Sequence, residues 1–454
     1  MNIQIPNPVR ACMDRLEAAG YATYLVGGCV RDAYLGLTPH DFDMTTAALP
    51  EQTAAVFKDC KLVTAGKKHG TIGVVTDCGV VEITTFRLDG NYTDSRHPTW
   101  VKFVPTIEED LARRDFTAGA MAYSPTRGFA DPFGGRADLD AHILRAVGVP
   151  AARFEEDALR ILRGVRFSAR FGLQPEPATL SSMIALAPTL DSIARERVFE
   201  ELSRFLLWAK TDDLLTFAPI LAAAIPEFAP MIGFDQHSPH HAWDVFTHVA
   251  HVVSAVPAEL PLRWAALLHD IGKPAVFTTD ETGRGHFYGH AKTGAEMADT
   301  VLRNLKAPTA LREEAVFLIS QHMTKLEPDK KLLRRRLSRL GEERLLRLLA
   351  LQEADSGSKG IEGEKDELLQ FPLLRRLIGE ILSEDACLSL KDLAVNGNDL
   401  MALGLTGKKI GQTLNFLLEQ VLEENLPNHR DTLLTFLKNN PLNCCLPYHV
   451  PWIT

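Results

Sequence analysis

The spacing of apolar and polar positions predicts strands near the N-terminus and helices along much of the remaining chain. Short β-branched and aromatic runs at residues 21–26, 71–75 and 80–85 are typical of buried strands, and the last two flank a turn, which predicts a β-hairpin. In later segments, such as 153–172 and 330–347, apolar residues recur at helical spacing. The pattern therefore predicts a mixed N-terminal part followed by a largely helical part.

The stretch LVGGCVRDAYLGLTPHDFDMTT, residues 25–46, combines a turn and two carboxylates. The first strand runs into a glycine pair that ends at Gly28 and then into a helix that carries Arg31. Such a turn lets backbone N–H groups approach an anion, and the start of the helix adds partial positive charge. On a strand, Asp41 and Asp43 would face the same side. Carboxylates beside a phosphate-binding turn are what Mg²⁺ needs to bridge a protein and a nucleoside triphosphate.

A second group of charged residues lies in RFEEDALRILRGVRFSARFG. On one helix, Asp157 and Arg160 lie three residues apart, with Arg163 and Arg166 at two further steps of three. One interpretation is a solvated helix face with an internal ion pair. The other is base recognition, because a carboxylate accepts from the exocyclic amino group of cytosine or adenine while an arginine donates to the neighbouring ring nitrogen. Uracil and guanine present the opposite order, so the pair would select C and A.

Histidines become frequent after residue 235, and one adjacent pair, His269 and Asp270, lies within an apolar segment. Burying both side chains is costly unless they bind something. Imidazole and carboxylate ligands together suit Mn, Fe, Ni, Co or Zn better than Mg²⁺ alone. An isolated buried histidine is more often a hydrogen-bonded core residue, so the interpretation depends on the pair.

Composition narrows the class of protein. The 454 residues suffice for several domains, and 46% hydrophobic with 24% charged residues is typical of a globular protein. No uninterrupted apolar run reaches the ~18 residues of a membrane span, so we do not expect the protein to bind or span a membrane. The first residues lack the pattern of a signal peptide, and the seven scattered cysteines lack zinc spacing, which together predict a cytoplasmic protein. Because the net charge is −9, RNA contact would need local basic patches such as 330–347.

The first two motifs together resemble the signature of the class II (bacterial-type) CCA-adding tRNA nucleotidyltransferase and poly(A) polymerase family. The resemblance implies an α+β fold, with a polymerase-β-like nucleotidyltransferase head followed by a mostly α-helical neck, body, HD domain and tail. The implied boundaries are 1–145 for the head, 146–232 for the neck and base-selection domain, 233–360 for the HD domain and 361–454 for a tRNA-binding tail.

The resemblance also implies a role for individual residues. Asp41 and Asp43 would be catalytic and hold Mg²⁺. The implied nucleotide-binding residues are Gly28, Arg31, Arg114, Asp157, Arg160, Arg163 and Arg166.

The histidine-rich part resembles an HD phosphohydrolase domain. The positions that match the H…HD…D pattern are His248, His269, Asp270 and Asp355. His290 and His322 are placed for a second metal or for the leaving phosphate. The resemblance implies a divalent transition metal such as Ni, Mn, Co or Fe, and it leaves open whether hydrolysis takes place.

The implied function is addition of C, C and A to the tRNA 3′ end from CTP and ATP, by a monomer or homodimer. The polar composition and weak periodicity of segment 86–103 predict a loop. In similar enzymes a loop at this place helps the change from C to A addition. Gly119 stands where the family has asparagine in R-R-D-F-T-x-N-A, which puts the role of that asparagine in doubt. The alternatives are an A-adding enzyme or poly(A) polymerase, an HD phosphohydrolase with an inactive head, and a non-catalytic RNA-binding protein.

Overall fold

A computed structural model describes residues 3–39, 41–77, 79–90, 100–238, 241–360, 365–384 and 387–440. The chain forms two compact units. The first unit contains the described residues up to Phe234, with Ala258–Leu260 and Asp299–Thr309. The second unit contains Asp235–Pro257, Pro261–Ala298 and the described residues from Ala310 onward.

The first unit is built on a mixed, seven-stranded sheet with the strand order β3-β4-β5-β2-β1-β8-β9. Neighbouring strands of this sheet are antiparallel, except that β2 and β5 are parallel. In this pair Met44 lies opposite Ile83. The strands of this unit are β1 Thr23–Val26, β2 Met44–Thr46, β3 Leu62–Val63, β4 Thr71–Thr76, β5 Gly79–Thr85, β6 Arg87–Asp89, β7 Val101–Phe103, β8 Ala122–Ser124, β9 Gly128–Ala130, β10 Ile143–Leu144 and β11 Gln174–Pro175.

The helices of the first unit cover the sheet and continue beyond it. They are α1 Asn7–Ala18, α2 Gly28–Tyr34, α3 Pro50–Val56, α4 Ile107–Ala112, α5 Gly135–Asp140, α6 Pro150–Glu156, α7 Leu159–Phe171, α8 Pro177–Leu186, α9 Arg195–Leu206, α10 Thr211–Thr216 and α11 Ala218–Ala224. Val26, Leu111 and Ala122 lie in a buried apolar cluster with Phe86, so β1, α4 and β8 share one core. This shared core brings the turn after β1 and the segment after α4 close together.

Two local predictions for the first unit are wrong. Asp41 and Asp43 are not on a strand, because β2 begins only at Met44. The ends of the predicted loop 86–103 are strands, since β6 and β7 pair antiparallel with Arg87 opposite Phe103. Residues 91–99 of that segment lie outside the described part of the chain.

The second unit is mostly helical. Its remaining elements are α12 Val245–Ala255, α13 Leu260–Leu268, α14 Lys273–Val276, α15 His290–Asn304, α16 Thr309–Gln321, α17 Lys330–Leu340, α18 Glu342–Gly357, α19 Lys365–Ser383, α20 Gly397–Ala402, α21 Lys408–Leu422 and α22 Arg430–Asn439, with the strands β12 Thr278–Thr279 and β13 Gly285–His286. Helices α13, α15 and α16 have end residues that are assigned to the first unit. Apolar residues of α17, α18 and α19, such as Leu337, Leu349 and Leu374, form one core.

The predicted α+β head and largely helical remainder are confirmed. The segment 330–347, which the pattern predicts to be helical, forms two helices, because Gly341 adopts a positive φ of 78° between α17 and α18. Among the described residues, no helix combines the length and the apolar character needed to cross a bilayer.

Candidate active site and metal centre

The turn between β1 and α2 is shaped by Gly27. Its φ of +71° favours glycine, and a Cβ there would lie 2.7 Å from Nη1 of Arg114. The Val26 N–H donates to the Asp43 carbonyl at 3.1 Å, which ties the strand before the turn to the predicted catalytic segment. The turn, Arg114 and Asp43 therefore belong to one site.

Asp41 and Asp43 lie in the segment just before β2 and are both exposed. Although Asp43 is open to solvent on one side, the protein around its carboxyl raises its pKa. Arg114 opposes this rise and Asp41 adds to it. A cation held between the two carboxylates would offset the unfavourable effect of Asp41 on the charge of Asp43, so the pair fits Mg²⁺.

Arg114 is the guanidinium nearest the turn. Its Nη1 lies 3.5 Å from the Gly119 carbonyl oxygen, and its Nη2 lies 3.9 Å from Oδ2 of Asp110. Burial lowers the pKa of Arg114, while Asp110 and Asp43 oppose this effect. The side chain thus presents a partly desolvated positive charge at a turn with exposed carboxylates, which is an arrangement that attracts a polyphosphate.

Gly119 is the position at which the sequence departs from the family pattern. A Cβ there would meet only Oδ1 of Asp115, at an ordinary contact distance of 3.6 Å. Neither sterics nor a positive φ requires glycine at this position. The backbone at Gly119 therefore accommodates a Cβ beside Asp115.

Arg31 is buried behind the turn instead of standing free in the site. Its Nη2 donates to Oδ1 of Asp32 at 2.6 Å, and its guanidinium lies over the ring of Phe171 at 4.2 Å. Burial lowers its pKa, which Asp32 opposes. A Cβ on Gly28 would lie 3.7 Å from the same Nη2, so Arg31 supports the turn from the side of α7.

The predicted continuous helix with Asp157 and Arg160 on one face is wrong. Helix α6 ends at Glu156, and Asp157 is extended with φ −148°. Its Oδ1 accepts from the Leu159 N–H at 2.9 Å, which helps to begin α7. Burial raises the pKa of Asp157.

The arginines of α7 all have partners within the first unit. Arg160 donates to Glu156 Oε2 at 2.7 Å and to the Arg113 carbonyl at 3.2 Å. The remaining predicted residues pair with carboxylates of other elements, Arg163 with Asp115 and Arg166 with Glu201, each at 2.6 Å.

Six predicted metal ligands lie together in the second unit and form two groups. His248, His269 and Asp270 form the first group, and Asp270, His290 and His322 form the second, with candidate ligand atoms within 4.8 Å of one another in each. Asp355 joins the first group, because its Oδ1 lies 3.0 Å from His248 Nε2. Asp270 directs Oδ2 at the first group and Oδ1 at the second.

Backbone carbonyls orient all four histidines in the same way. Nδ1 of His269, His290 and His322 lies 2.6–2.8 Å from the carbonyl three residues earlier, and Nδ1 of His248 lies 3.3 Å from the Ser358 carbonyl. Since a carbonyl only accepts, Nδ1 carries the proton and Nε2 turns a lone pair inward. His269 Nε2 is buried without a hydrogen-bond partner, and the Nε2 atoms of His290 and His322 are 3.1 Å apart. Two nitrogens bound to one ion at ~2.1 Å and ~90° are about 3 Å apart, so the residues fit a transition metal.

The charges of this cluster also favour a cation. Burial opposes protonation of His269, but Asp270, Asp355 and the Ala266 carbonyl together outweigh burial and raise the pKa of His269. The pKa of Asp270 is lowered despite burial, by His269 and by Lys273, whose Nζ lies 2.8 Å from Asp270 Oδ2. Sequence reasoning missed Lys273, although its position three residues after Asp270 was a signal.

A cavity of about 490 Å³ opens over the metal-ligand cluster. Its wall includes Lys273 and Lys325, the apolar residues Phe287 and Phe371, and the exposed Tyr288. This volume lies within the range of small-molecule sites.

Three family models match parts of the chain. The poly A polymerase head domain matches residues 23–145, the RNA- and SrmB-binding site of polymerase A matches 172–232, and domain 2 of tRNA nucleotidyltransferases matches 277–437.

Relatives and solved structures agree with these matches. The CCA-adding enzyme of Streptococcus suis is 42% identical over 229 residues, which are 48% of this chain and 56% of that protein. The CCA-adding enzyme of Streptococcus gordonii is 33% identical over 435 residues, which are 94% of this chain and 95% of that protein. The crystal structure of Bacillus stearothermophilus CCA-adding enzyme in complex with CTP is 28% identical, with a TM-score of 0.69 over 96% of this chain and 98% of that one. The chain therefore belongs to the family of CCA-adding enzymes.

Proposed function

We propose that this chain adds C, C and A to the tRNA 3′ end from CTP and ATP without a nucleic-acid template. The observation that carries the proposal is the position of Arg114, whose guanidinium lies against the Gly27 turn and interacts electrostatically with Asp43. A phosphate-binding turn, a cation and two carboxylates are the parts that nucleotidyl transfer requires. CTP in the structure of the Bacillus stearothermophilus relative supports the nucleotide class.

Asp41 and Asp43 would hold Mg²⁺, which supplies Lewis-acid activation of the RNA 3′-hydroxyl and the α-phosphate when bound. Arg114 would bind the triphosphate through the donors that face the turn, and Gly28 lets the backbone approach it. Arg31 would act from behind the turn, because its guanidinium is already bound to Asp32.

Base selection is proposed for Asp157 and Arg160. The carboxylate would accept from the amino group of C or A, and the guanidinium would donate to the neighbouring ring nitrogen. Because Arg160 donates to Glu156, it must exchange this partner before it can donate to a base. Arg163 and Arg166 would hold α7 in place near the nucleotide through Asp115 and Glu201.

We also propose the functional boundaries 1–145, 146–232, 233–360 and 361–454. The head-domain match to 23–145 and the match to 172–232 support the first two. The tail would contact tRNA, which the match of tRNA nucleotidyltransferase domain 2 to residues 277–437 supports.

The test is single-nucleotide gel analysis of a tRNA that lacks its CCA end, with Mg²⁺ and CTP, ATP or both. We expect growth by three nucleotides with both substrates and by two with CTP alone. Extension by A alone, and only on tRNA that already ends in CC, would instead identify an A-adding enzyme.

A second function, metal-dependent phosphohydrolysis, is supported by the buried cluster of the second unit. Its inward Nε2 atoms and its bridging carboxylate, Asp270, fit a resident transition metal such as Ni, Mn, Co or Fe. Such a metal would supply an activated water when bound. Metal analysis of the purified chain and of His269→Ala, with hydrolysis of a phosphomonoester measured alongside, tests this function. A metal-free wild type that stays inactive after reconstitution would exclude it.

A further inference from the structure

Asp110 on α4 is a fully buried carboxylate of the first unit. Its Oδ1 accepts from the Arg87 N–H at 3.1 Å and from the guanidinium of Arg113 at 2.9 and 3.1 Å. Its Oδ2 has no hydrogen-bond partner and lies 3.9 Å from Nη2 of Arg114. One carboxylate thus connects the first residue of β6 with two consecutive arginines.

Arg114 lies between Asp110 and the nucleotide site. Its Nη2 faces Asp110, whereas its Nη1 faces the Gly27 turn and the Gly119 carbonyl. Its Nε is buried without a hydrogen-bond partner, so no other side-chain contact at that atom fixes the plane of the guanidinium. Asp110 opposes the lowering of the Arg114 pKa more strongly than Asp43 does.

The two neighbouring arginines repel each other in this buried setting. Arg113 contributes to the lowered pKa of Arg114. Asp110 offsets this repulsion in two ways, because it binds Arg113 directly and attracts Arg114 from the side opposite the turn. Without the negative charge, Arg113 would lose this ion pair and Arg114 would lose the attraction that sets its orientation.

We propose that Asp110 is a positioning residue that orients Arg114 toward the triphosphate of CTP and ATP. The inference rests on the proposed role of Arg114 in binding that triphosphate. Substitution of a residue that only anchors β6 would lower the affinity for all ligands equally. Substitution of a residue that orients Arg114 would lower the affinity for ligands that carry the outer phosphates.

The experiment compares Asp110→Asn with the wild-type full chain by calorimetric titration of CTP and CMP. Asparagine can still accept from the Arg87 N–H, so the change removes the charge and little volume. We expect affinity for CTP to fall about tenfold while affinity for CMP changes less than about twofold, because a charge-assisted contact to the outer phosphates is weakened. Equal losses for both ligands would overturn the inference.

Glu17→Gln is a matched control within the same unit. Its Oε1 accepts from the Thr23 N–H at 2.9 Å and from Nε of Arg127 at 3.0 Å, so it also joins the first residue of a strand to an arginine. Its hydrogen bonds within the described part of the chain go to Thr23 and Arg127 and not to the Gly27 turn, and we expect both affinities to stay at wild-type values. Thermal melts of both variants measure any general loss of stability.

A double-mutant cycle with Arg114→Ala separates this inference from the proposed function. If Asp110 acts through Arg114, adding Asp110→Asn to Arg114→Ala produces no further loss of CTP affinity. Additive losses would overturn the inference, and wild-type CTP affinity in Arg114→Ala would overturn the role of Arg114 itself. Should Asp110→Asn fail to fold, Asp110→Glu, which displaces the charge by one methylene, is judged by the same CTP and CMP criterion.

Discussion

The two candidate sites of this chain differ in how far they are formed before a ligand arrives. In the first unit, Asp41 and Asp43 are exposed, and Arg160 and Arg163 are bound to carboxylates of the protein. In the second unit, four histidines turn Nε2 inward around Asp270, which is 1% exposed. The head therefore suits a cation that comes and goes with a nucleotide, whereas the buried cluster suits a resident metal that offsets its negative charge.

The largest expected effect concerns Asp43 in the head, where a substitution should slow nucleotide addition without lowering the free energy of unfolding. Asp43→Asn should slow nucleotide addition about 1,000-fold, because the loss of a cation ligand removes several kcal/mol of transition-state stabilisation. Since the surrounding protein already raises the Asp43 pKa, the free energy of unfolding should remain equal or rise slightly. Single-turnover addition and chemical denaturation measure both quantities. Asp140→Asn, which alters an exposed carboxylate bound to Tyr34, is the control.

Slow addition together with a clear loss of stability in Asp43→Asn would contradict the contrast between the sites. It would mean that the exposed carboxylate has a structural role resembling that of the buried cluster.

The second prediction concerns the carboxylate shared by the two metal groups. Asp270→Asn should remove all tightly bound metal, because Oδ1 and Oδ2 face different groups, whereas His322→Ala should remove only one equivalent. Elemental analysis after dialysis counts the metal in each variant. Loss of all metal in His322→Ala would show that the two groups bind a single ion.

Removal of that metal should also destabilise the chain. A buried group of ligands without its cation carries uncompensated charge, which typically costs about 3–5 kcal/mol when one partner of a buried pair is lost. We expect a chelator to lower the melting temperature of the wild type and to leave that of Asp270→Asn unchanged. An equal response of both proteins would exclude a stabilising metal in this cluster.

The local motifs were predictable from the sequence, and the long-range partners were not. The glycine turn and the His269–Asp270 pair are read from adjacent residues, and the structure places the other predicted ligands around that pair. The break at Asp157 had a local signal, because aspartate commonly begins a helix. In contrast, Asp115 lies 48 residues from Arg163 and reaches it only through the fold.

A third, intermediate effect tests whether the arginines of α7 depend on internal carboxylates. Asp115→Asn should lower the free energy of unfolding by about 2 kcal/mol at neutral pH, because Arg163 loses a partly buried partner. Although burial raises the pKa of Asp115, Arg163 and Arg160 outweigh it and lower the pKa. Its contribution is therefore present above the ordinary value of ~3.9 and is lost as the pH falls through the lower, folded-state value.

Denaturation of wild type and Asp115→Asn at several pH values measures this contribution. The difference between the two proteins should shrink as the solution becomes acidic. A constant difference from neutral to acidic pH would show that the carboxylate charge is not what holds Arg163.

The smallest expected effect concerns the basic helix α17, where several basic residues form ion pairs with glutamates of other helices or segments. Lys330 lies 2.8 Å from Glu380 and 2.9 Å from Glu384, whereas Arg339 is exposed and has no carboxylate partner within the described part of the chain. If α17 contacts tRNA phosphates, Arg339→Ala should reduce the slope of log affinity against log salt by about 0.7–0.9, because one fewer counterion is released. Lys330→Ala should leave the slope unchanged, since its charge is already neutralised within the protein. Filter-binding titrations across a KCl series distinguish the two residues, and equal slopes for all three proteins would mean that α17 serves only to join the helices of the second unit.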